Sequence, residues 1–235
     1  MSFFKIILSI FFLLTCFATR AEAQTQCKVI NEFSGLIFDA GAFPATTGME
    51  QSLDNALRYG VEKVVLFDQS DAVVENDPQA LEEIFPDLVL RGNEPWSKAP
   101  GVIWADPMTP DMLDALEQKL STFKNSKFLL GNVARFDLKE VQKLVQEHRN
   151  LWIGFGRDEV EHLQATCVKG PLHALMKTAK NRVVFASFGG DEGWKSYKWT
   201  IRKLKELATF LPAAQADAFI FKNAEELYGL PVNAP

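Results

Sequence analysis

The stretch Arg182-Val-Val-Phe-Ala-Ser-Phe-Gly-Gly-Asp-Glu-Gly-Trp194 changes character halfway along its length. Val183 to Ala186 form an apolar run behind a basic residue, and small and acidic residues follow at once. Such a run reads as a short strand buried on both faces, ending where polar groups begin. Helical spacing precedes it over Leu172 to Lys180 and follows it over Lys195 to Phe210. A buried strand between two helices belongs to a parallel α/β protein, where ligands bind at strand C-termini. Ser187, Asp191 and Glu192 stand at that end.

The same unit recurs upstream. Apolar runs at Gly35–Phe43, Lys63–Asp68, Asp87–Gly92, Val102–Asp106, Lys127–Asn132 and Leu151–Gly156 read as further strands. Between them, helical spacing covers Met49–Tyr59, closed by Gly60, then Pro78–Ile84, Pro110 to about Phe123, and Leu138–His148. Neither a residue-level repeat nor a long polar linker interrupts the chain, which predicts one domain over 24–235. Strands alternating with helices over this length predict an α/β fold, a single TIM-like (β/α) barrel, compact or distorted. The alternative is an open doubly wound α/β sheet. After the first strand the sequence reads Asp39-Ala-Gly-Ala-Phe-Pro44, without the glycine fingerprint of dinucleotide binding. No Gly-x-x-x-x-Gly-Lys loop occurs anywhere. The barrel is the favoured expectation.

The first 23 residues predict a secretory signal peptide. Lys5 is followed by the apolar run Ile6 to Ala18, too short for a comfortable membrane span, and by Ala21-Glu22-Ala23 as a cleavage site. Cys16 offers a lipoprotein reading, which Thr15 disfavours. The expected location is therefore periplasmic or secreted, with no stable membrane span. Loss of Lys5, Arg20 and Glu22 takes the net charge from −5 to −6. An acidic chain of this kind is not a nucleic-acid binder. Lys195, Lys198, Arg202, Lys203 and Lys205 form a local basic patch, read as a solvated helix surface over more than one face. Two cysteines outlast cleavage, Cys27 and Cys167, an even pair that in an oxidising compartment is a candidate disulfide. Two separate thiols are the alternative.

Parallel strands would bring their C-terminal residues to one rim. That rim would hold Asp39, Asp68, Arg91, Asp106, Asn132 with Arg135, Arg157 with Asp158, and Ser187 with Asp191. Crowded carboxylates share protons, bind a cation or pair with arginines, and acids also cap the helices that follow strands. A Ser-His-Asp arrangement is not supported, because Phe185-Ala-Ser-Phe-Gly189 has Phe185 where a nucleophile elbow needs glycine. His148, His162 and His173 have no metal-ligand spacing among them.

Three places in the chain resemble the amidohydrolase-related proteins, metal-dependent hydrolases and decarboxylases built on a distorted (β/α)8 barrel. Leu36-Ile-Phe-Asp-Ala-Gly-Ala-Phe-Pro44 resembles their first strand, which ordinarily ends in a His-x-His metal motif. Arg182-Val-Val-Phe-Ala-Ser-Phe188 resembles a late strand that usually ends in aspartate. Phe221-Lys-Asn-Ala-Glu-Glu-Leu-Tyr-Gly-Leu-Pro231 resembles the C-terminal helix. The departures fall on the metal ligands: Gly41 and Phe43 stand in place of the two histidines, and Phe188 in place of the aspartate. Glycine and phenylalanine cannot bind zinc.

The resemblance thus implies an exported amidohydrolase-like barrel without the usual metal site, holding a small polar or carboxylated ligand. No cofactor is expected, although Asp39 leaves room for a divalent metal. Asp39 and Asp191 are the candidate catalytic residues. Asp68, Arg91, Asp106, Arg135, Arg157 and Ser187 are the candidate ligand contacts, the arginines as anion clamps. The alternative is an active hydrolase with a rearranged carboxylate site. A third reading is a partner-binding protein that uses Trp194, Tyr197 and Trp199, aromatics that the helix pattern equally assigns to the core. The oligomeric state is left open.

Overall fold

A computed structural model describes residues 27–67, 78–92, 102–105 and 112–230, with the backbone alone at 102–105 and 112. The predicted signal peptide, including Cys16, lies outside the described residues, as do Asp68 and Asp106. In chain order the elements are β1 (Ile37–Ala42), α1 (Met49–Arg58), β2 (Val61–Leu66), α2 (Pro78–Ile84), β3 (Val89–Arg91) and β4 (Val102–Ala105). Then come α3 (Met112–Thr122), β5 (Lys127–Leu130), α4 (Leu138–Glu147), β6 (Leu151–Phe155), α5 (Arg157–Ala165), α6 (Pro171–Ala179) and β7 (Val183–Phe185). The chain ends with α7 (Asp191–Ala208), α8 (Ala213–Asp217), a π turn (Ala218–Lys222) and α9 (Asn223–Tyr228).

All strand pairs are parallel. One sheet has the order β1-β2-β3 and the other β4-β5-β6-β7. Past the end of β7 the backbone runs beside β1: Phe188 N donates to Gly41 O at 2.9 Å and Gly190 N to Phe43 O at 2.8 Å. Strand order therefore follows sequence order, without the reversal that makes the switch point of a doubly wound sheet. No ladder joins β3 to β4 among the described residues, so the observed architecture is a parallel α/β fold rather than a complete barrel.

Strand alternation explains why the apolar runs are nearly continuous. On β5, β6 and β7, Phe128, Leu130, Ile153, Phe155, Val183 and Phe185 point outward to the helices, in one core with Leu144, Leu163, Leu175 and Leu204. Their neighbours Leu129, Trp152, Val184 and Ala186 point inward and meet Phe38, Ala40 and Val65 from β1 and β2, with Phe67 just past the end of β2. Both faces are buried, as a parallel sheet between helices requires.

The end that faces away from the strand C-termini is closed by the last elements. Phe38 packs on Phe221 and Tyr228, with ring centroids at 6.0 and 5.9 Å. Tyr228 Oη donates to Ala40 O. Asn223 Nδ2 donates to Val183 O at 2.7 Å, and Lys127 Nζ donates to the Glu226 and Leu227 carbonyls at 2.7 and 2.8 Å. Arg182, the residue that opens the stretch quoted first, donates to the carbonyls of Val145, His148 and Leu151, tying the end of α4 to the start of β6.

Two elements differ from the sequence expectation. The segment after β6 forms α5, started by Glu159, whose carboxylate accepts from Gly156 N at 3.0 Å. Helix α7 begins at Asp191 rather than Lys195, which places Asp191 and Glu192 in a first turn where acids suit the helix dipole. Cys27 and Cys167 form a disulfide with Cα atoms 5.1 Å apart. The segment behind Cys27 is held by Ile30 N and Asn31 N on Thr209 O.

Candidate functional site

The inward positions nearest the strand C-termini are occupied by two phenylalanine rings set into glycines. Phe188 continues the inward series Val184, Ala186, Phe188. A Cβ placed on Gly131 would lie 2.6 Å from its ring, on Gly154 2.4 Å and on Gly156 3.0 Å. Phe67, just past the end of β2, does the same, at 2.4 Å from a Cβ on Gly92 and 3.0 Å from one on Gly41. These approaches are below any ordinary carbon contact, so glycine is what lets the rings fill this layer. Phe188 adopts φ 51°, a conformation that costs a bulky residue on the order of 1–3 kcal/mol and persists because its surroundings hold it.

Above that layer lies a cavity of about 370 Å³ lined by Phe43, Asn132, Arg135, Gly156, Arg157, Asp158, Ser187, Phe188 and Gly189. Every one of these residues follows β1, β5, β6 or β7 in sequence, so the cavity sits at the strand C-termini. Asn132, with φ 52°, turns the chain into the short 3-10 helix that carries Arg135. Arg135 is exposed and makes no ion pair among the described residues. Arg157 pairs with Glu161 at 2.7 Å, lies 5.0 Å from the Trp199 ring, and has its pKa raised by that hydrogen bond. With Arg157 already paired to Glu161, Arg135 is the guanidinium at the lining left without an ion pair among the described residues, and it favours an anionic guest. Beneath the cavity, buried Glu159 also accepts from Ala134 N at 2.9 Å, and burial raises its pKa. It thereby holds the 3-10 helix of Arg135 against the start of α5.

Of the rim residues that are described, the structure gathers Asn132, Arg135, Arg157, Asp158 and Ser187 around this cavity and places Asp39, Arg91 and Asp191 outside its lining. Arg91 points to α2, where it pairs with Glu82 at 2.8 Å, and is not among the residues that line this cavity. Asp191 is exposed in the first turn of α7, where it accepts from Thr46 N at 2.7 Å and Thr46 Oγ1 at 3.0 Å, and these bonds lower its pKa. It joins α7 to the segment after β1 and lines no described cavity. Trp194 and Tyr197 are core residues rather than an exposed aromatic surface. The rings that line or floor the cavity, Phe43 and Phe188, had no signal in sequence beyond standing where the family that the quoted motifs resemble has ligands.

Asp39 is fully buried on the outward face of β1, between β7 and α7. Its Oδ1 accepts from Ser187 N at 2.9 Å and Gly41 N at 3.3 Å, and its Oδ2 accepts from Tyr197 Oη at 3.1 Å. Burial raises its pKa to about 6, against the opposing effect of the Ser187, Gly41 and Tyr197 hydrogen bonds. The buried Ser187 Oγ has no partner in good hydrogen-bond geometry among the described residues, yet it lies near enough to Asp39 to favour the carboxylate.

The metal that the family resemblance implies does not fit these residues. Gly41, Phe43 and Phe188 offer no ligand atom, the Phe188 ring fills the layer, and both oxygens of Asp39 are already engaged by donors. Among the described residues, Glu117, Glu147 and His148 bring possible ligand atoms within 4.8 Å of one another. They lie between α3 and α4 near the start of β6, at the opposite end of the strands from the cavity. No described helix is long and apolar enough to cross a membrane. Comparison with family models, with curated proteins and with solved structures finds no match, so the amidohydrolase likeness rests on the residues quoted above.

Proposed function

We propose that the chain is an exported, amidohydrolase-like α/β barrel that binds a small carboxylated compound at its strand C-termini without metal chemistry. The observation that carries this reading is the cavity over the Phe188 layer, with Arg135 and Arg157 beside it and Asn132 and Ser187 at its wall. A guanidinium fork matches a carboxylate in two parallel hydrogen bonds. The phenylalanine and glycine layer supplies a dry floor where a metal-dependent relative would hold its ion. The sequential order of the parallel strands supports the barrel, β7 lying beside β1.

The test is calorimetric titration of the purified protein with acetate, malonate, succinate and citrate, alongside elemental analysis. Saturable binding of one of these acids, weakened about tenfold or more in Arg135→Ala, is the expected result. Stoichiometric zinc, manganese or iron in the purified protein would overturn the metal-free part. Failure of all four acids to bind would overturn the carboxylate part.

A second reading, a hydrolase with a rearranged site, is favoured by one observation. Ser187 Oγ is unpartnered beside a carboxyl group whose pKa of about 6 suits a general base. On that reading Asp39→Asn and Ser187→Ala abolish an ester- or amide-cleaving activity found by substrate screening. An activity that survives both substitutions refutes it.

A further inference from the structure

A second hollow lies away from the strand ends. It is a groove of about 540 Å³ on the outer surface, between the end of α1 and the length of α7. Five cations line it: Arg58 from α1, and Lys195, Lys198, Arg202 and Lys205 from α7. No carboxylate does. The α7 residues follow the spacing i, i+3, i+7, i+10, which puts them on one stripe about 15 Å long at 1.5 Å per residue. The remaining member of the sequence patch, Lys203, leaves that stripe, pairing with Glu206 at 3.4 Å and lying 5.6 Å from the Trp199 ring. The patch is therefore a largely exposed surface on more than one face, as its spacing suggested, with Lys195, Lys198, Arg202 and Lys205 together on one basic stripe.

Three details turn this face into a groove. Lys198 Nζ lies over the Tyr59 ring at 5.8 Å, which directs it toward α1. Lys205 Nζ reaches across to within 3.3 Å of where a Cβ on Gly60 would stand. Lys195 pairs with Glu192 at 2.6 Å, while Arg58, Lys198, Arg202 and Lys205 make no ion pair among the described residues. Four uncompensated cations side by side repel one another, and they do so on a chain whose net charge is −5. The groove also continues into a smaller hollow of about 230 Å³, which shares Tyr59, Lys195 and Lys198 and adds Ser52 and Asn55 as neutral hydrogen-bonding groups.

We propose that the α1–α7 groove is a binding site for a soluble linear polyanion carrying several phosphate groups. An extended row of cations matches a row of anionic groups better than it matches a single ion. Aromatic rings and amide or hydroxyl groups at its edge suit the uncharged part of such a ligand. The site is separate from the cavity over Phe188 and does not depend on what that cavity binds.

The probe is sodium tripolyphosphate, titrated calorimetrically into the protein at pH 7 in 50 mM and 250 mM salt. Binding at one site is expected, weakened about tenfold or more at the higher salt because the contacts are exposed charges. The double variant Lys198→Glu/Arg202→Glu is expected to lose about a hundredfold in affinity, with its melting transition and circular dichroism unchanged. Lys203→Glu, outside the stripe, keeps the binding. Tripolyphosphate that fails to bind, or binds the double variant as well as the parent, overturns the proposal. A parallel sedimentation with phosphatidylglycerol and phosphatidylcholine vesicles separates the sources of phosphate. Capture by the anionic vesicles with no response to tripolyphosphate assigns the groove to a membrane surface and overturns the soluble ligand.

Discussion

Replacing Gly131 by alanine tests the Phe188 layer more sharply than replacing Phe188 itself. The three atoms nearest a Cβ at Gly131 all belong to the Phe188 ring, at 2.6, 2.8 and 2.9 Å. Ordinary carbon contacts need about 3.5–4.0 Å, so the ring must retreat by roughly 1 Å. Its retreat is limited by Gly154 and Gly156, which pack so near the ring that an added Cβ would fall 2.4 and 3.0 Å from it. Overpacking of this kind costs about 1–3 kcal/mol. In a Phe188→Ala background the obstruction is gone, and Gly131→Ala becomes neutral or stabilises by about 0.4–1 kcal/mol through the unfolded chain. The double-mutant cycle therefore has a coupling energy of about 1–4 kcal/mol, favouring the double variant over the sum of its parts. Urea denaturation of the four proteins measures it. If the two substitutions prove additive within about 0.5 kcal/mol, the ring does not occupy the glycine-lined layer, and the account of the cavity floor fails with it.

Two further outcomes follow from buried chemistry. Asp39, with a folded pKa of about 6 against an ordinary 3.8, keeps its proton in the folded chain where the unfolded chain has lost it. Stability from this group is present below about pH 4 and falls as pH rises through about 6, by about 3 kcal/mol at 1.36 kcal/mol per pKa unit. Asp39→Asn, which keeps an acceptor for Ser187 N and Gly41 N, should flatten the urea midpoint over pH 4–7 relative to the parent; parallel curves would refute the burial argument. The Cys27–Cys167 bond closes a loop across 140 residues, and its loss through Cys27→Ser/Cys167→Ser should destabilise by about 4–5 kcal/mol. An unchanged denaturation midpoint in that variant, or in the parent under reductant, would show that the bond adds nothing.

The strands were legible because burial on both faces writes itself as short apolar runs, and Val183 to Ala186 is such a run. Arg135, Arg157 and Ser187 were legible as rim residues because a strand's last residues mark one end of a parallel sheet. Side-chain direction was not legible. Asp39 precedes a bulge in β1, where the register shifts between Asp39 and Ala42, and it faces the helix layer instead of the mouth. Asp191 looked like a strand-end acid because the turn before it is only Ser187 to Gly190, too short to announce that α7 had begun. Helix α5 was missed because Arg157-Asp-Glu-Val-Glu-His162 carries one apolar residue in its first six, and its cap is a glutamate reaching back to Gly156 rather than a small polar residue. The single basic stripe of α7 was obscured by Lys203, which lies in the same run but not on the same face.

The closing of the inner layer by the π turn and α9 sets when this protein can fold. Phe38 on the first strand has its ring partners at 221 and 228, nearly the whole described chain away. Asn223 and Tyr228 bind the backbones of β7 and β1, so neither end of the strand order is secured until the last helix is present. Contacts this distant in sequence are made late and slowly. A chain arranged so is still open while it is being synthesised, and it locks only when α9 arrives.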